Sequence, residues 1–314
     1  MPVETGQWVK RTIATYIRKK IPFDVASNPE FLREGSAIHD FMHPDRIVVG
    51  VESELARDLL EKLYRPLKAP IVVTDIKSAE LIKHASNSFL ATKISFINAI
   101  SRICDKVGAD VKQVAYGMGL DKRIGPGFLH AGIGYGGSCF PKDLDAFIHI
   151  SEKIGYDFNL LKAVRQINLQ QQEAFLRKIK EHLWIIKDKK ISVLGISFKP
   201  DTDDIRNAPS LNIINSLRRE GAEVRVFDPS AMPKAKSFLK GVKFSKDAYQ
   251  ACKGSDCLLI LTEWESFAKL DFAKIKSLMQ RPLIIDGRNM LDPHAMEKQG
   301  FTYVSIGRPG ALRK

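Results

Sequence analysis

Five apolar segments in the last third of the chain decide its fold: KISVLGI (190–196), EVRVFDP (223–229), CLLILTE (257–263), PLIIDGR (282–288) and FTYVSIG (301–307). Each has the length of a strand that is buried on both faces, and segments of helical length separate them. This alternation is typical of a parallel sheet with helices on both sides. We therefore predict a C-terminal doubly wound parallel sheet, an α/β domain over residues 184–314.

A long helix is predicted before this sheet. Over residues 78–107 the apolar positions keep the spacing of one helix face, until Gly108 interrupts the pattern. Helical segments continue to Leu183, so we predict a central helical domain over residues 75–183. Residues 1–74 contain two short apolar strands and segments of helical length, and are predicted to form a residual Rossmann-like half.

The composition is that of a globular protein with ordinary cores. The chain has 314 residues, 44% of them hydrophobic, and no apolar run approaches the ~20 residues that a membrane-spanning helix needs. Neither a membrane partner nor an N-terminal secretion signal is predicted. The four cysteines lack the C-x-x-C spacing of zinc sites and disulfide frameworks, which predicts no metal and a reducing, cytoplasmic setting.

The net charge of +13 raises the question of nucleic-acid binding. The 49 lysines and arginines are interleaved with 36 acidic residues and do not form a long basic run. Dispersed charge is typical of a solvated surface, and part of the excess can serve a diphosphate ligand. No nucleic-acid partner is predicted, and a nucleic-acid binder is kept as the alternative.

The segment GYGGSCFPKD (134–143) places one cysteine between a glycine-rich turn and a predicted helix start. Glycines there let the backbone approach a ligand closely, and Pro141 suits the first turn of a helix. Cys139 would lie in the positive field of the helix N-terminus, near Lys142, and both favour a thiolate. The alternative is a small buried cysteine beside a turn.

A G-x-G-x-x-G pattern occurs at Gly132, Gly134 and Gly137. In a dinucleotide site this pattern follows a hydrophobic strand and opens a helix. The preceding residues RIGPGFLHA contain two glycines and a proline, which favours a loop. We therefore interpret these glycines as shaping a loop around a sugar.

Five blocks of sequence, in order, resemble the UDP-glucose/GDP-mannose dehydrogenase family. GGSCFPKD (136–143) resembles its active-site motif. The other blocks are NPEFLREGSAIHDFMHPDRIVVG (28–50), IKHASNSFLATKISFINAI (82–100), RIGPGFLHAGIGYGG (123–137) and GISFKPDTDDIRNAPS (195–210). They are similar to the family's substrate loop, central helix, sugar-binding loop and nucleotide-contacting loop. The resemblance covers nearly the whole chain.

The resemblance implies an NAD-dependent oxidoreductase that removes four electrons from UDP-glucose to give UDP-glucuronate. Cys139 is implied as the nucleophile that traps the aldehyde as a thiohemiacetal, which becomes a thioester and is cleaved by water. Lys83 and Asn87, four residues apart on one helix face, are implied as oxyanion donors, although each alone is typical of a helix surface. Glu30 matches the acid/base residue. Asp143 is assigned to water activation, with capping of its own helix as a second role.

The resemblance also implies residues that bind each ligand. The positions that match substrate contacts are Phe31, Leu32, Arg33, Arg123, Phe128, Tyr135, Gly136, Phe198, Lys199 and Arg288. The positions assigned to NAD are Glu34, Lys142 and Arg206. Taken singly, Phe128 and Tyr135 are typical of packing aromatics and Arg206 of a surface cation. In the family, the arginine that Arg123 matches reaches into a neighbouring subunit, which implies at least a homodimer.

One part of the family pattern is absent. The family's NAD-binding domain begins with a strand that runs into a G-x-G-x-x-G turn, and no such turn precedes Asn28. The prediction is therefore a chain that lacks most of that domain and has impaired activity. The alternative is a non-catalytic sugar-nucleotide-binding fragment or one subunit of a split enzyme. SCFPKD favours UDP-glucose, whereas His130 departs from the lysine of some members; GDP-mannose and a UDP-N-acetylhexosamine are the alternative substrates.

Overall fold

The computed structural model describes residues 3–18 and 21–309. These residues divide into two compact units. The first comprises the residues up to Phe89 together with Lys142–Phe158, and the second comprises Leu90–Pro141 together with the residues from Asn159 onward. No helix in these two described stretches is both long enough and apolar enough to cross a membrane.

The first unit contains a two-stranded parallel sheet. Its strands are β1 (Ile47–Gly50) and β2 (Ile71–Thr74), with Ile47 opposite Ile71. Its complete helices are α1 (Thr5–Tyr16), α2 (Ala37–Met42) and α3 (Glu54–Tyr64), and the 3-10 turn Arg65–Leu67 follows α3. Strand β1 is buried along its whole length, in keeping with its continuous apolar sequence.

Side-chain oxygens begin two of these helices. The Glu80 carboxylate accepts the N–H groups of Glu4 at 2.7 Å and Gly6 at 2.8 Å, at the start of α1. Ser53 Oγ accepts the Ala56 N–H at 3.1 Å, at the start of α3. Both contacts satisfy N–H groups that have no partner inside the helix, and the carboxylate also complements the helix dipole.

The middle of the chain is helical. Its helices are α4 (Ile76–Val107), α5 (Val111–Gly119), α6 (Phe140–Lys153) and α7 (Asn159–Leu183). The long helix was predicted over residues 78–107, so its extent is confirmed to within two residues. Gly108 ends it with a φ of +76°, a conformation that glycine adopts without strain. Helices α4 and α6 each contribute residues to both units.

The second unit contains a six-stranded sheet in which every pair is parallel. Its strands are β3 (Lys190–Leu194), β4 (Glu223–Phe227), β5 (Lys243–Phe244), β6 (Cys257–Ile260), β7 (Leu283–Asp286) and β8 (Thr302–Ser305). They lie in the order β5-β4-β3-β6-β7-β8. This is the doubly wound order, with its switch point between β3 and β6, where ligands bind at the carboxyl ends of the strands. The predicted fold class is confirmed.

Helices cover both faces of this sheet. They are α8 (Pro209–Arg219), α9 (Met232–Phe238), α10 (Ala248–Cys252), α11 (Glu265–Ala268), α12 (Phe272–Leu278) and α13 (Pro293–Lys298). Successive residues of one strand belong to different cores: Val193 packs in the core that includes α7 and α8, and Leu194 packs in the core with α12. Burial on both faces explains why the strands have continuous apolar sequences.

Candidate active site

The cysteine loop, residues 131–139, is buried except at its last two residues. Residues 131–137 are buried, Ser138 is half-buried and Cys139 is exposed. Helix α6 begins at Phe140, directly after the cysteine, and Pro141 is its second residue. The predicted position of the thiol, between a glycine-rich turn and a helix start, is therefore the observed one.

The other three cysteines are interior residues. Cys104 is 3% exposed, and Cys252 and Cys257 have no exposed surface. Burial raises the pKa of each of these thiols, and that of Cys252 to about 12. In the described parts of the chain no group of histidines, cysteines and acidic residues could hold a metal ion. Cys139 is thus the cysteine available for chemistry with a ligand.

Two glycines of the loop lie directly against another loop of the same unit. A Cβ added to Gly137 would lie 2.8 Å from Phe198 Cε2, and the φ of Gly137 is +82°. A Cβ added to Gly136 would collide with the carbonyl oxygen of Asn207. The glycines were predicted to allow close approach of a ligand. In the structure they allow close approach of the chain's own residues, because protein atoms already occupy that space.

Hydrogen bonds fix the end of the loop. The Gly137 N–H donates to the Arg206 carbonyl at 2.8 Å, and Asn207 Nδ2 donates to the Gly137 carbonyl at 3.1 Å. The Arg206 side chain binds Asp204 through Nε at 2.9 Å and Nη2 at 2.8 Å, and is 64% exposed. Arg206 therefore holds the loop through its backbone and presents a guanidinium at the surface.

Arg288 joins three strand ends at the switch point of the sheet. It follows β7, and its side chain is 11% exposed. Its Nε donates to the Leu261 carbonyl at 2.9 Å, Nη1 to the Gly134 carbonyl at 3.0 Å and Nη2 to the Phe198 carbonyl at 3.2 Å. Three of the five N–H groups of this guanidinium thus serve the protein backbone. Contact between Arg288 and the substrate stays a prediction.

Two aromatic residues that were predicted to contact substrate, Phe128 and Tyr135, pack against the ring of Phe140. The Phe128 and Phe140 centroids are 6.1 Å apart, and the Tyr135 ring meets Phe140 edge-on at 5.8 Å. Phe128 has a φ of +65°, which is uncommon for a bulky residue. Lys199 Nζ lies 5.7 Å from the Phe198 centroid, just after β3. Phe140 was not predicted to contact a ligand, although it follows Cys139 directly in the motif GGSCFPKD.

Arg123 forms a local ion pair with Asp121. Its Nη2 donates to Asp121 at 2.6 Å, and its side chain is 90% exposed. Paired with a neighbour two residues away, it lies at the surface of the unit. The structure does not bring Arg123 together with Phe128 or Tyr135 through any contact it describes.

A buried carboxylate closes the turn after β3. Asp228, at the end of β4, is 1% exposed. Its Oδ2 accepts the N–H groups of Ile196 at 2.7 Å and Ser197 at 3.1 Å, together with Trp264 Nε1 at 3.2 Å. Its Oδ1 accepts two further N–H groups, from Ser230 and Ala231. A dinucleotide site of this fold holds pyrophosphate at the turn after its first strand. In this sheet the turn after β3 binds the Asp228 carboxylate instead.

In the first unit, two polar pairs bring together four predicted catalytic residues. Lys83 Nζ contacts Glu30 through its carboxylate at 3.1 Å and through its carbonyl oxygen. Asn87 Nδ2 donates to Asp143 Oδ2 at 2.6 Å, and both residues are buried. Lys142 Nζ lies 3.1 Å from the other Asp143 oxygen. The predicted NAD contact and the predicted water-activating carboxylate are therefore direct neighbours.

The predicted substrate loop of the first unit carries contacts that sequence reasoning missed. The Arg46 guanidinium lies 3.8 Å from the centroid of the Phe31 ring. Arg33 donates to Asp40 through Nη2 at 2.6 Å and Nε at 3.0 Å, which holds the pKa of that carboxyl well below its usual range. Arg46 opens a strand and Asp40 lies in a short helix, so neither position has a sequence pattern that indicates a partner.

The remaining predicted residues of this loop are at its surface. The Leu32 N–H donates to Glu30 Oε2 at 2.7 Å, which ties the loop to the acid/base candidate. Leu32 and Glu34 are exposed. Both therefore offer atoms to a ligand.

Three models of one family match the chain. They are the UDP-glucose/GDP-mannose dehydrogenase family NAD binding domain over residues 1–68, its central domain over 77–170 and its UDP binding domain over 192–293. The match to the first model corrects one prediction. The chain was expected to lack most of the NAD-binding domain because no glycine fingerprint precedes Asn28. The matched part contains α1, β1 and α3, which carry no such fingerprint, so its absence did not show that the domain was missing.

Individual proteins agree with the models. The chain is 48% identical over 310 residues to UDP-glucose 6-dehydrogenase TuaD of Bacillus subtilis (strain 168), covering 98% of this chain and 67% of that protein. It is 49% identical over 313 residues to UDP-glucose 6-dehydrogenase YwqF of the same organism, covering 99% and 71%. The solved structure of a UDP-glucose dehydrogenase from the hyperthermophilic archaeon Pyrobaculum islandicum superposes with a TM-score of 0.90 at 36% identity, covering 98% of this chain and 69% of that one.

Proposed function

The chain belongs to the UDP-glucose/GDP-mannose dehydrogenase family, and from this premise we propose that it oxidises UDP-glucose to UDP-glucuronate with NAD. Family membership makes it an NAD-dependent oxidoreductase. The observation that carries the assignment to this chain is Cys139, exposed at the end of a buried loop and directly before helix α6. A thiol so placed can reach a ligand while its backbone stays fixed.

The donor set for the cofactor fits a dinucleotide. Arg206 has a side chain that is 64% exposed and Lys142 one that is 66% exposed, and both cations can pair with phosphate oxygens. Glu34 is exposed and can accept hydrogen bonds from hydroxyl or amide groups. When bound, NAD supplies the acceptor for the hydride removed in each of two oxidations. We assign its contacts to Glu34, Lys142 and Arg206.

Cys139 performs the covalent chemistry. The first oxidation converts the primary alcohol into an aldehyde, whose carbonyl carbon the Cys139 thiolate attacks to form a thiohemiacetal. The second oxidation removes a hydride from that carbon and leaves a thioester. Water then adds to the thioester, the C–S bond breaks, and the thiol and a carboxylate are released. Water thus supplies the second carboxylate oxygen, and four electrons leave the sugar in two pairs.

The side chains of the first unit handle charge and protons in this scheme. Lys83 and Asn87 donate to the oxyanion that forms at each tetrahedral stage. Glu30 moves a proton, and its contact with the Lys83 ammonium gives the two groups a direct path for exchanging one. Asp143 orders the hydrolytic water, because one of its oxygens is already oriented by Asn87.

We assign the substrate to two groups of residues. The first group would contact the sugar and comprises Phe31, Leu32, Arg33, Arg123, Phe128, Tyr135 and Gly136. The second group would contact the nucleotide and comprises Phe198, Lys199 and Arg288. The second group supports the assignment by its place at the switch point of the doubly wound sheet. The UDP binding domain model, which matches residues 192–293, also includes all three residues of this second group.

Three organisational proposals accompany the function. We propose domains over residues 1–74, 75–183 and 184–314, a cytoplasmic location and at least a homodimer. The Arg123 side chain, 90% exposed, supports the dimer, since its surface is open to another subunit. Light scattering of the wild type and of Arg123→Ala tests this assignment.

A direct assay tests the function. The purified chain is mixed with UDP-glucose and NAD, and NADH is followed by absorbance, with Cys139→Ala as the inactive variant and Cys104→Ala as the control. We expect two NADH for each UDP-glucuronate and a loss of at least about 10³-fold in Cys139→Ala. A faster reaction with GDP-mannose or a UDP-N-acetylhexosamine would reassign the substrate, and a Cys139→Ala variant as active as wild type would refute the thiol mechanism.

A further inference from the structure

Asn168 on α7 binds both the N–H and the carbonyl group of Tyr135 in the cysteine loop. Its Oδ1 accepts the Tyr135 N–H at 2.9 Å, and its Nδ2 donates to the Tyr135 carbonyl at 3.1 Å. Both residues are 8% exposed. A primary amide carries a donor and an acceptor in one plane, so it pairs with a peptide as a neighbouring strand would. An ionised carboxylate cannot make this pair of bonds, because it has no donor.

Two different side-chain amides bind the backbone of Gly132, three positions earlier in the loop. The Gly132 N–H donates to Asn98 Oδ1 at 2.9 Å, and Gln171 Nε2 donates to the Gly132 carbonyl at 3.0 Å. Gln171 and Asn168 are three residues apart and so lie on one face of α7. Amides on α4 and α7 thus hold two backbone positions that precede the cysteine.

The glycine between these positions lies on the Asn168 amide. A Cβ added to Gly134 would lie 2.7 Å from Asn168 Oδ1, and the φ of Gly134 is +103°. Only glycine combines this conformation with this contact. Gly134, which resembles part of a dinucleotide fingerprint, is therefore explained by packing against α7, whereas a Cβ added to Gly132 would lie 3.1 Å from the Gly287 carbonyl oxygen.

A short segment with a fixed backbone connects Tyr135, which Asn168 binds, to Cys139. Tyr135 precedes Cys139 by four residues, and its ring meets Phe140, the residue after the cysteine, edge-on at 5.8 Å. Gly137, between them, is bound at both its N–H and its carbonyl. We propose that Asn168 is a positioning residue that sets the location of the Cys139 thiol without contacting substrate. This inference rests on the proposed function for the role of Cys139 as the nucleophile.

Two substitutions separate positioning from simple loss of structure. Asn168→Asp keeps the shape and the acceptor but removes the donor, and its ionised form sets a carboxylate against the Tyr135 carbonyl. When that carboxyl is protonated its O–H can donate again, so activity should recover as pH falls. Asn168→Gln keeps both groups and lengthens the side chain by one methylene, which displaces the loop. Asn212→Asp is the control, since Asn212 is exposed and binds only Gln172 in the described hydrogen bonds.

The experiment measures kcat and KM for UDP-glucose across pH, and the rate of Cys139 alkylation by iodoacetamide, read by mass spectrometry. We expect kcat of Asn168→Asp and Asn168→Gln to fall by about 100-fold at neutral pH, with a smaller change in KM, because small displacements of a reacting group are costly. We expect alkylation of Cys139 to become about threefold faster or more in both variants as the loop opens locally. Relative activity of Asn168→Asp should rise on acidification, whereas that of Asn168→Gln should follow the wild-type profile.

The outcomes distinguish this inference from the proposed function. If the wild type forms no NADH, the proposed function fails, and the alkylation rates alone decide the inference. Wild-type alkylation rates in both folded variants would overturn it, and so would unchanged kcat. If Asn168→Asp does not fold, Asn168→Gln decides. The inference is also wrong if the Asn212→Asp control shows the same changes.

Discussion

The cysteine loop and the pairs of predicted catalytic residues in the first unit are held by different kinds of contact. The loop is fixed by bonds to its backbone and by glycines in direct contact with Phe198 and Asn168. The pairs Lys83–Glu30 and Asn87–Asp143 are joined by side-chain contacts, to which Lys83 adds one bond to the Glu30 carbonyl oxygen. The loop should therefore be sensitive to added atoms and to the loss of the groups that bind its backbone. The pairs should tolerate changes of size and respond to charge and pH.

The largest expected effect is a steric one in the loop. In Gly137→Ala the new Cβ would lie 2.8 Å from the Phe198 ring, on a backbone with a φ of +82°. Overpacking and backbone strain together should lower the free energy of unfolding by about 4 kcal/mol. Urea unfolding measures this change, and NADH formation should be lost with it.

Gly117→Ala is the matched control for this substitution. Gly117 lies in α5, and a Cβ there would meet no atom within 4 Å. The free energy of unfolding should stay constant or rise by up to about 1 kcal/mol, since alanine favours a helix. If both alanine variants have the same stability, the steric account of the loop is wrong.

The second largest effect is expected when a charge is introduced beside Asp143 in the first unit. Asn87→Asp keeps the size of a buried side chain but sets a second carboxylate against Asp143. The free energy of unfolding should fall by about 2–3 kcal/mol at neutral pH. One of the two carboxyl groups is then favoured in its protonated form when folded, so the folded state binds more protons and the lost stability returns as pH falls.

Unfolding of this variant at neutral and at mildly acidic pH measures the difference. Asn212→Asp introduces the same charge at an exposed position and should change stability little at either pH. A deficit in Asn87→Asp that is independent of pH would show that the pair is sensitive to shape, contrary to the comparison.

The smallest effect is expected at the surface pair of the substrate loop. Hydrogen bonds from Arg33 hold the pKa of Asp40 below its usual range, so its stabilisation is present above the unfolded value of ~4 and is lost as pH falls. Asp40→Asn should lower the thermal midpoint slightly at neutral pH, because its partner Arg33 is largely exposed and ion pairs screened by solvent contribute little. The difference from wild type should shrink on acidification below ~pH 4. A difference that grows there would contradict this assignment.

Sequence patterns predicted the elements whose residues are buried on a regular period. The long helix and five of the strands of the second unit were identified because packing imposes continuous or helical apolar spacing. Strand β5, Lys243–Phe244, was missed because two residues have no period. Helix α2 was missed as well, since its six residues form fewer than two turns and none of them is buried.

The site was predictable where a residue type itself carries the chemistry. Cys139 stood out for this reason, and its exposure at a helix start agrees with the expectation. The role of Asn168 was not predictable, because an amide in the buried face of a helix has no sequence pattern that reveals its partner. Arg288 was placed correctly after a strand, but its bonds to three carbonyls depend on how the strand ends meet in space.

The buried Asp228 constrains how this chain can change by mutation. Its carboxylate accepts six hydrogen bonds from backbone and side-chain donors. Replacing it alone leaves those donors without an acceptor, and reshaping the turn after β3 alone leaves a buried charge without its donors. Each single step is harmful, so the two changes are strongly epistatic. A lineage that carries this aspartate is thereby kept from converting its second sheet into a dinucleotide site by gradual substitution.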